Sequence, residues 1–524
     1  MGSIVVDDAG SPQTEPGPSA PARSGRIVLA LLLVATFAIR ALYPGQPIVE
    51  NYVGRQIPTA MVARNLVRGS GFFRPELDTG PFPNLFLVEP PIYAQIVATT
   101  HLLTGIPLEP TGRLISAAAT ALAAWGLFGL ARRREGTRVA LLAVASFAIF
   151  PVMIRYGRAF QPDALMLGAM LGGLRCWDDW NSFGERAFGP MGLFFLALAL
   201  GLKFIVAWAL LPFVVIVGRW PMASRVAAAG LMLMPAFAWY LLQWGEVQRP
   251  GAGSLASSDN AAIWIRSVGP AAWLRLATWT SVGRALVWSS FGPAGFGLAC
   301  WGWIAGGKVD PLWKAWGIGC GVALLVLAAK WHHGYYWMVV APVAAVGVGR
   351  GLVALGRFGF VFPALMGTAF LGNCVAQSVG TWRTPPEWAS LPEVVRALTD
   401  HATVDEMPIA AEAVLYFADR RGFRLEFEPE ASRRAAGEWG GMLVDPANPL
   451  ALTSFYQSQD WDKVPEVGQS IPDFVHGFYR PRWVADVGPA GTDGRRRAWR
   501  AAIREKPGTR LILDRPDAFV AEIR

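Results

Sequence analysis

The sequence predicts a mainly α protein: a polytopic membrane helical bundle of about eleven spans, followed by a soluble C-terminal α/β domain. Three observations carry this. Of 524 residues, 16% are charged and 53% hydrophobic, whereas a soluble domain carries roughly 25% charged residues. Apolar runs of spanning or near-spanning length for about 30 Å of hydrocarbon recur through residues 25–378. After about residue 378 the chain turns to charged residues, short alternating runs and turns.

Residues 1–24 are rich in Pro, Ser, Gly and Ala and lack aromatics, so they read as a disordered cytoplasmic tail. The run RIVLALLLVATFAIRALY follows an arginine, and PGQPIVENY after it offers no small-residue cleavage site. It therefore reads as a retained anchor. The transmembrane region spans 25–378, with a long first outer loop at 44–112. Within that loop, 91–105 is apolar but too short to cross and is expected as an interfacial or re-entrant helix. Further apolar runs lie at 113–131, 138–155, 163–176, 189–202, 203–219, 224–243, 288–306, 312–330, 337–355 and 358–378. Arg132 to Arg134 mark their end of the second span as cytoplasmic, with Arg219, Arg225, Lys308, Lys314, Arg350 and Arg357 on the same side. A second outer loop, 244–287, spaces Trp264, Trp273 and Trp279 with Arg266, Arg275 and Arg284 as a helix along the headgroups would. An odd span count places 379–524 outside, as an extracytoplasmic domain of ordinary size.

The formal charge of +9 belongs to arginines beside apolar runs, which mark topology and anionic-lipid contact; it does not indicate a nucleic-acid partner. The four cysteines form no CxxC pair and fall in or beside apolar runs, where they read as small packed hydrophobes and imply neither a disulfide framework nor a zinc site. No internal repeat is visible, against the symmetry of many transporters.

Polar residues crowd the outer side in four places. ENYVGRQIPTAMVARNL places Glu50 ahead of a helix whose first turn suits Pro58, with Arg55 near its start and Arg64 and Arg68 four apart along one side. An interfacial anchor is the plain alternative. FLVEPPIY puts Glu89 at the entry to the short helix, where an acid also simply favours the helix dipole. MIRYGRAFQPDALML sets Asp163 against an apolar run with Arg155 and Arg158 nearby; it reads as a functional acid or as an Arg–Asp structural pair. KWHHGYYWMVV groups His332, His333, Tyr335 and Tyr336 at a span junction, beyond what an aromatic belt needs. Lys203 interrupts the run LGLKFIV and either joins this group or snorkels to the interface. Acids and cations sharing one outer cavity suit transfer from a lipid phosphate. Cations stabilise the leaving phosphate, a carboxylate takes the acceptor proton, and the lipid tail lies between spans.

With these motifs the chain resembles the GT-C glycosyltransferases, in the branch of bacterial dolichyl-phosphate-mannose-protein mannosyltransferases and aminoarabinose-transferase-like enzymes. GRQIPTAMVARNL is similar to that branch's first-loop helix, with Pro58 where an Asp is common, so the acid role passes to Glu50. VEPPIY resembles its Glu-x-Pro element, which implies that Glu89 lies near the donor. GRAFQPDALM resembles the second-loop acid motif, carried by Asp163. HHGYYW resembles the His-x-Tyr-Tyr element beside the lipid phosphate. LYFADRRGF resembles a stretch of the C-terminal domain. The resemblance implies an inverting transfer from a polyprenyl-phosphate sugar to a lipid, glycan or protein acceptor at the outer face of a bacterial inner membrane. Glu50 and Asp163 are alternative bases and Glu89 a further catalytic acid; Arg55, Arg64, Arg158, Lys203, His332, His333, Tyr335 and Tyr336 bind the donor. Membrane lipids are the other expected partners. No cofactor is expected, and no ligand spacing supports a divalent cation. Two other readings stand beside it: a transporter or flippase, which calls for mid-span charges and symmetry, and a membrane scaffold presenting the C-terminal domain.

Overall fold

The structure, a computed structural model, describes residues 23–79, 84–184, 187–247, 273–425, 482–489 and 494–524. Nearly all of the expected tail, and Trp264 and Arg266 of the second outer loop, lie outside the described residues. The described chain is mostly helical, with a small C-terminal sheet.

Helix α1 (Arg23–Ala41) is the expected anchor. The stretch expected as the first outer loop holds α2 (Val53–Val67) and α3 (Ile92–Thr104), the latter where the short apolar run predicts it. Next, α4 (Leu108–Ile149) covers two expected runs and is broken at Gly136, where φ is 82°. That backbone suits glycine, and it turns the chain back on itself. Ser116 on the first arm donates to the Ala159 carbonyl at 2.8 Å, and Thr120 to that of Gly157 at 2.9 Å, so both arms meet at the same end of the bundle. After α5 (Pro151–Tyr156), α6 (Asp163–Phe183) and α7 (Phe188–Leu202) form an antiparallel pair; α8 (Leu210–Ile216) and α9 (Met222–Leu242) follow. Four helices among the described residues are long and apolar enough to cross a membrane: Arg23–Ala41, Leu108–Ile149, Met222–Leu242 and Ala341–Phe358. Shorter apolar helices lie at Phe188–Leu202, Phe204–Ile216 and Pro311–Val326.

The arginine cluster at the α4 turn is paired rather than solvated. Arg133 and Arg134 bind Asp178 at 2.5 and 2.7 Å, Arg134 reaches Asp310 at 3.3 Å, and Arg350 binds Glu135 at 2.6 Å. Asp178 sits near the end of α6 and Asp163 at its start. At about 1.5 Å per residue they lie about 22 Å apart along the axis.

The C-terminal strands are β1 (Ile409–Ala410), β2 (Phe423–Arg424), β3 (Trp483–Val487), β4 (Thr509–Arg515) and β5 (Ala518–Ile523), in the order β2-β1-β3-β5-β4. Parallel pairing joins β1 to β2 and β3; antiparallel pairing joins β5 to β3 and β4. Burial pushes the Asp486 carboxyl on β3 up, against the pull of Arg496 and Arg500. This sheet docks on the first outer loop. Gly422 N–H donates to the Asp78 carbonyl at 2.9 Å, and the Tyr416 hydroxyl binds Glu109 at 2.8 Å.

Close helix packing in the second half rests on Gly302, in Gly292–Ala305, where a Cβ would strike the Gly347 carbonyl of Ala341–Leu355. Overpacking costs about 1–3 kcal/mol. Gly302→Val should therefore lower the melting temperature of the detergent-solubilised protein by several degrees. Gly297→Val, on the open face of the same helix, should cost far less, and equal melting temperatures for the two would refute this packing.

Candidate active site

The site begins where α7 stops. Lys203 caps that helix with extended backbone, φ −153°, before the turn Phe204–Ala209. This break in an apolar run turns the lysine inward, and its Nζ donates to Asp163 Oδ1 at 2.7 Å. Asp163 is the first residue of α6, set after Pro162. Exposures of 7% and 1% place this pair inside the bundle. Such burial is tolerated because each charge meets its opposite. Asp163 Oδ2 has no hydrogen-bond partner.

Aromatic rings close over the pair. Lys203 Nζ lies 4.6 Å from the Tyr335 ring centre and 5.8 Å from that of Tyr336, both cation–π distances. The two tyrosines come from a short turn, Gly334–Val339. His333 stacks on Tyr335 at 5.6 Å, with His332 against His333 at 3.9 Å. Tyr52, just ahead of α2, packs on both His333 and Tyr335. A narrow cavity opens between Asp163, Lys203, Trp208, Trp331, Tyr335 and Tyr336.

A second ion pair, Arg55 with Glu89, flanks this cavity. Burial pushes the Glu89 carboxyl up, while Arg55 and then Lys203 pull it back. Arg55 in turn lies within electrostatic reach of Tyr335, Asp163 and Tyr336. Tyr240 and Trp239 of α9 hold the backbone before Glu89 through the Val88 and Leu87 carbonyls, at 2.9 and 3.5 Å.

Three expected site residues stand elsewhere. Glu50 is expected as a base, but Arg113 grips both its oxygens, the second at 2.9 Å, and the pair is fully buried. Its carboxylate is committed to holding the loop. Arg158 is expected on the lipid phosphate, yet its guanidinium is spent on the carbonyls of Thr381, Leu42 and Tyr43 at 3.0, 2.7 and 3.0 Å. It does not pair with Asp163, and neither does Arg155, which binds the Ser289 and Gln377 carbonyls. Arg64 is expected to face the headgroups. It binds Asp78 at 2.5 Å and Asp419 at 2.8 Å, while Arg68 reaches the same two acids. Helix α2 is therefore a buried element clamped to the C-terminal domain, not an amphipathic helix lying on the membrane.

The residues missed by sequence reasoning are the partners. Arg113 lies in an apolar run, and a cation there signals a buried acid. Tyr52 and Asp78 gave no local signal. Among the described residues no three His, Cys, Asp or Glu side chains gather as a cation site. Asp163 in the cavity wall and Glu89 beside it are each paired with a cation, Lys203 and Arg55.

Residues 88–244 match the family model described as dolichyl-phosphate-mannose-protein mannosyltransferase. The structure superposes on that of ArnT from Cupriavidus metallidurans bound to undecaprenyl phosphate, with a TM-score of 0.57 and 14% identity over 96% of this chain and 99% of that one. The chain shares its fold with that ArnT structure. Other GT-C structures agree. The oligosaccharyltransferase of Archaeoglobus fulgidus, in complex with Zn and sulfate, gives a TM-score of 0.53 and 14% identity over 88% of this chain and 68% of that one. The mycobacterial arabinofuranosyltransferase AftD gives 0.53 and 13% over 97% and 40%. No curated protein sequence matches. The stretch matched by the family model contains Glu89, Arg113, Asp163 and Lys203.

Removing one partner of a buried pair commonly costs about 3–5 kcal/mol. Glu50→Gln should therefore lower the melting temperature sharply, and the double change Glu50→Met with Arg113→Met should recover part of the loss. A normal melting temperature with abolished transfer would return Glu50 to the reaction.

Proposed function

We propose that this protein is an inverting glycosyltransferase, moving a sugar from a polyprenyl-phosphate donor to an acceptor at the extracytoplasmic face of a bacterial inner membrane. The observation that carries the reading is the buried Lys203–Asp163 pair, roofed by Tyr335 and Tyr336 beside Arg55–Glu89. Two cations and two acids meet at a cavity with aromatic walls, which suits an anionic group on an apolar tail. The undecaprenyl phosphate bound to ArnT supports a lipid phosphate as the ligand.

In this mechanism Lys203 and Arg55 hold the donor phosphate, with His332, His333, Tyr335 and Tyr336 bordering it. The acceptor oxygen or nitrogen attacks the anomeric carbon opposite the phosphate. The bond from that carbon to the phosphate oxygen breaks, and polyprenyl phosphate leaves with its charge met by the two cations. Asp163 Oδ2, the unpartnered oxygen, takes the acceptor proton. Glu89 positions Arg55. No cofactor takes part. The acceptor is a lipid, glycan or protein presented beside the membrane.

The sidedness belongs to the same proposal. Arg133 and Arg134 face the cytoplasm, about eleven segments cross the membrane, and 379–524 is extracytoplasmic. Val404 is 70% exposed on the C-terminal domain. Val404→Cys in intact spheroplasts should react with a membrane-impermeant maleimide, and protection until lysis would reverse the sidedness.

Loss of a positioned base commonly costs about 10²–10⁴ in rate. With membranes supplied radiolabelled undecaprenyl-phosphate sugars, Asp163→Asn should reduce transfer by about this factor while donor binding persists. Full activity in Asp163→Asn would remove it from the chemistry, and label that never leaves the lipid in the wild type would sink the enzyme reading.

A further inference from the structure

We propose that Gln161 is a specificity-determining residue that reads a hydroxyl group on the donor's sugar ring. The proposal rests on the glycosyltransferase reading above.

Gln161 is fully buried, and neither its Nε2 nor its Oε1 has a hydrogen-bond partner. Buried amides in native proteins are paired with protein, water or ligand. The contrast with Gln56 is direct. That residue is equally buried, donates to the Glu50 carbonyl at 2.7 Å and accepts from Phe160 N–H at 2.9 Å. An amide can therefore be satisfied in this part of the fold, and Gln161 is not.

The bend carrying Gln161 is firmly held. Gln56 fixes Phe160, whose ring meets Tyr93 edge-on at 5.7 Å, and Gln161 N–H donates to the Ala159 carbonyl at 2.8 Å. Pro162 then leads into α6. The missing partner is not a symptom of a loose loop.

Two residues on, Asp163 Oδ2 is also buried without a partner, while Lys203 holds Oδ1. The Gln161 amide thus offers one free donor group and one free acceptor, close in sequence to the carboxylate that takes the acceptor proton. A phosphate offers acceptors only and would leave Gln161 Oε1 unmatched. A hydroxyl both donates and accepts, so the group suited to this bend is a polyol ring. A buried amide built to pair with a hydroxyl also discriminates strongly, because an analogue lacking that hydroxyl leaves the amide unpaired.

The test compares wild type, Gln161→Met and Gln161→Glu in nanodiscs. The probes are undecaprenyl-phosphate mannose, undecaprenyl-phosphate arabinofuranose, monodeoxy versions of each, and sugar-free undecaprenyl phosphate. The readouts are melting temperature, binding of the sugar-free lipid, and kcat and KM for transfer. For Gln161→Met we expect a melting temperature equal to or above wild type, since the unpaired amide is gone. Binding of the sugar-free lipid should be unchanged. On the donor that wild type uses, kcat/KM should fall about 10- to 100-fold. Gln161→Glu should fall as well, having no amide donor. One monodeoxy donor should be used equally by wild type and Gln161→Met, which identifies the hydroxyl. Wild-type kcat/KM in Gln161→Met would overturn the assignment. So would a lowered melting temperature in both variants with weakened binding of the sugar-free lipid, which marks a structural role or a bound water only. If wild type transfers from none of the donors, the glycosyltransferase reading fails too; if it transfers and Gln161→Met keeps pace, only the role of Gln161 fails.

Discussion

A lysine and an aspartate buried together at one end of a helical bundle constrain everything around them. Neither Lys203 nor Asp163 can stay charged away from water without the other, so α7 must stop where α6 starts. The extended residue that ends α7 and the proline that precedes α6 serve that meeting. The second ion pair, Arg55–Glu89, imposes a similar condition on the first outer loop, which must fold back to bring Glu89 to the start of α2. Once both pairs are in place, the Gly334–Val339 turn covers them with aromatic rings. On the proposed reading a ligand carrying negative charge meets two cations there, and Asp163 Oδ2, which Lys203 leaves without a partner, takes the acceptor proton.

Arginines at the helix ends serve a different purpose from the cations at the cavity. Arg113, Arg158 and Arg155 turn their guanidinium groups mostly onto backbone carbonyls, of Gln46 and Pro47, of Leu42, Tyr43 and Thr381, and of Ser289 and Gln377. These carbonyls lie in loops or near the ends of helices, where the helical ladder leaves carbonyls without N–H partners. The planar donors of arginine satisfy several at once. Asp78 has the converse role at the domain junction, where its carboxylate collects Arg64 and Arg68 and its carbonyl accepts from Gly422. The first outer loop is thus built from both sides, by helix-end arginines below and the C-terminal sheet above.

Helices, the short helix of the apolar stretch 91–105 and the C-terminal α/β unit were legible because hydrophobic period and composition are local properties. Lys203 and Asp163 were legible because a charge inside an apolar run needs a reason, and the same signal in Arg113 was available. Partner choice was not legible. Glu50, Arg64 and Arg158 carry the right chemistry on the right side of the chain, but which acid meets which cation depends on how α4 folds back at Gly136 and where the C-terminal sheet docks. Those are long-range facts. The amphipathic spacing of Arg64 and Arg68 fits a headgroup-facing helix equally well until Asp419, some 350 residues away in sequence, is brought against it.

The most direct test of the central claim is a cryo-electron microscopy structure of the protein with undecaprenyl phosphate in nanodiscs. The account predicts phosphate density in contact with Lys203 and Arg55 beneath Tyr335 and Tyr336, with Glu50 still on Arg113. Phosphate held by Arg64 and Arg68, or by Arg158 after release of its backbone carbonyls, would contradict it.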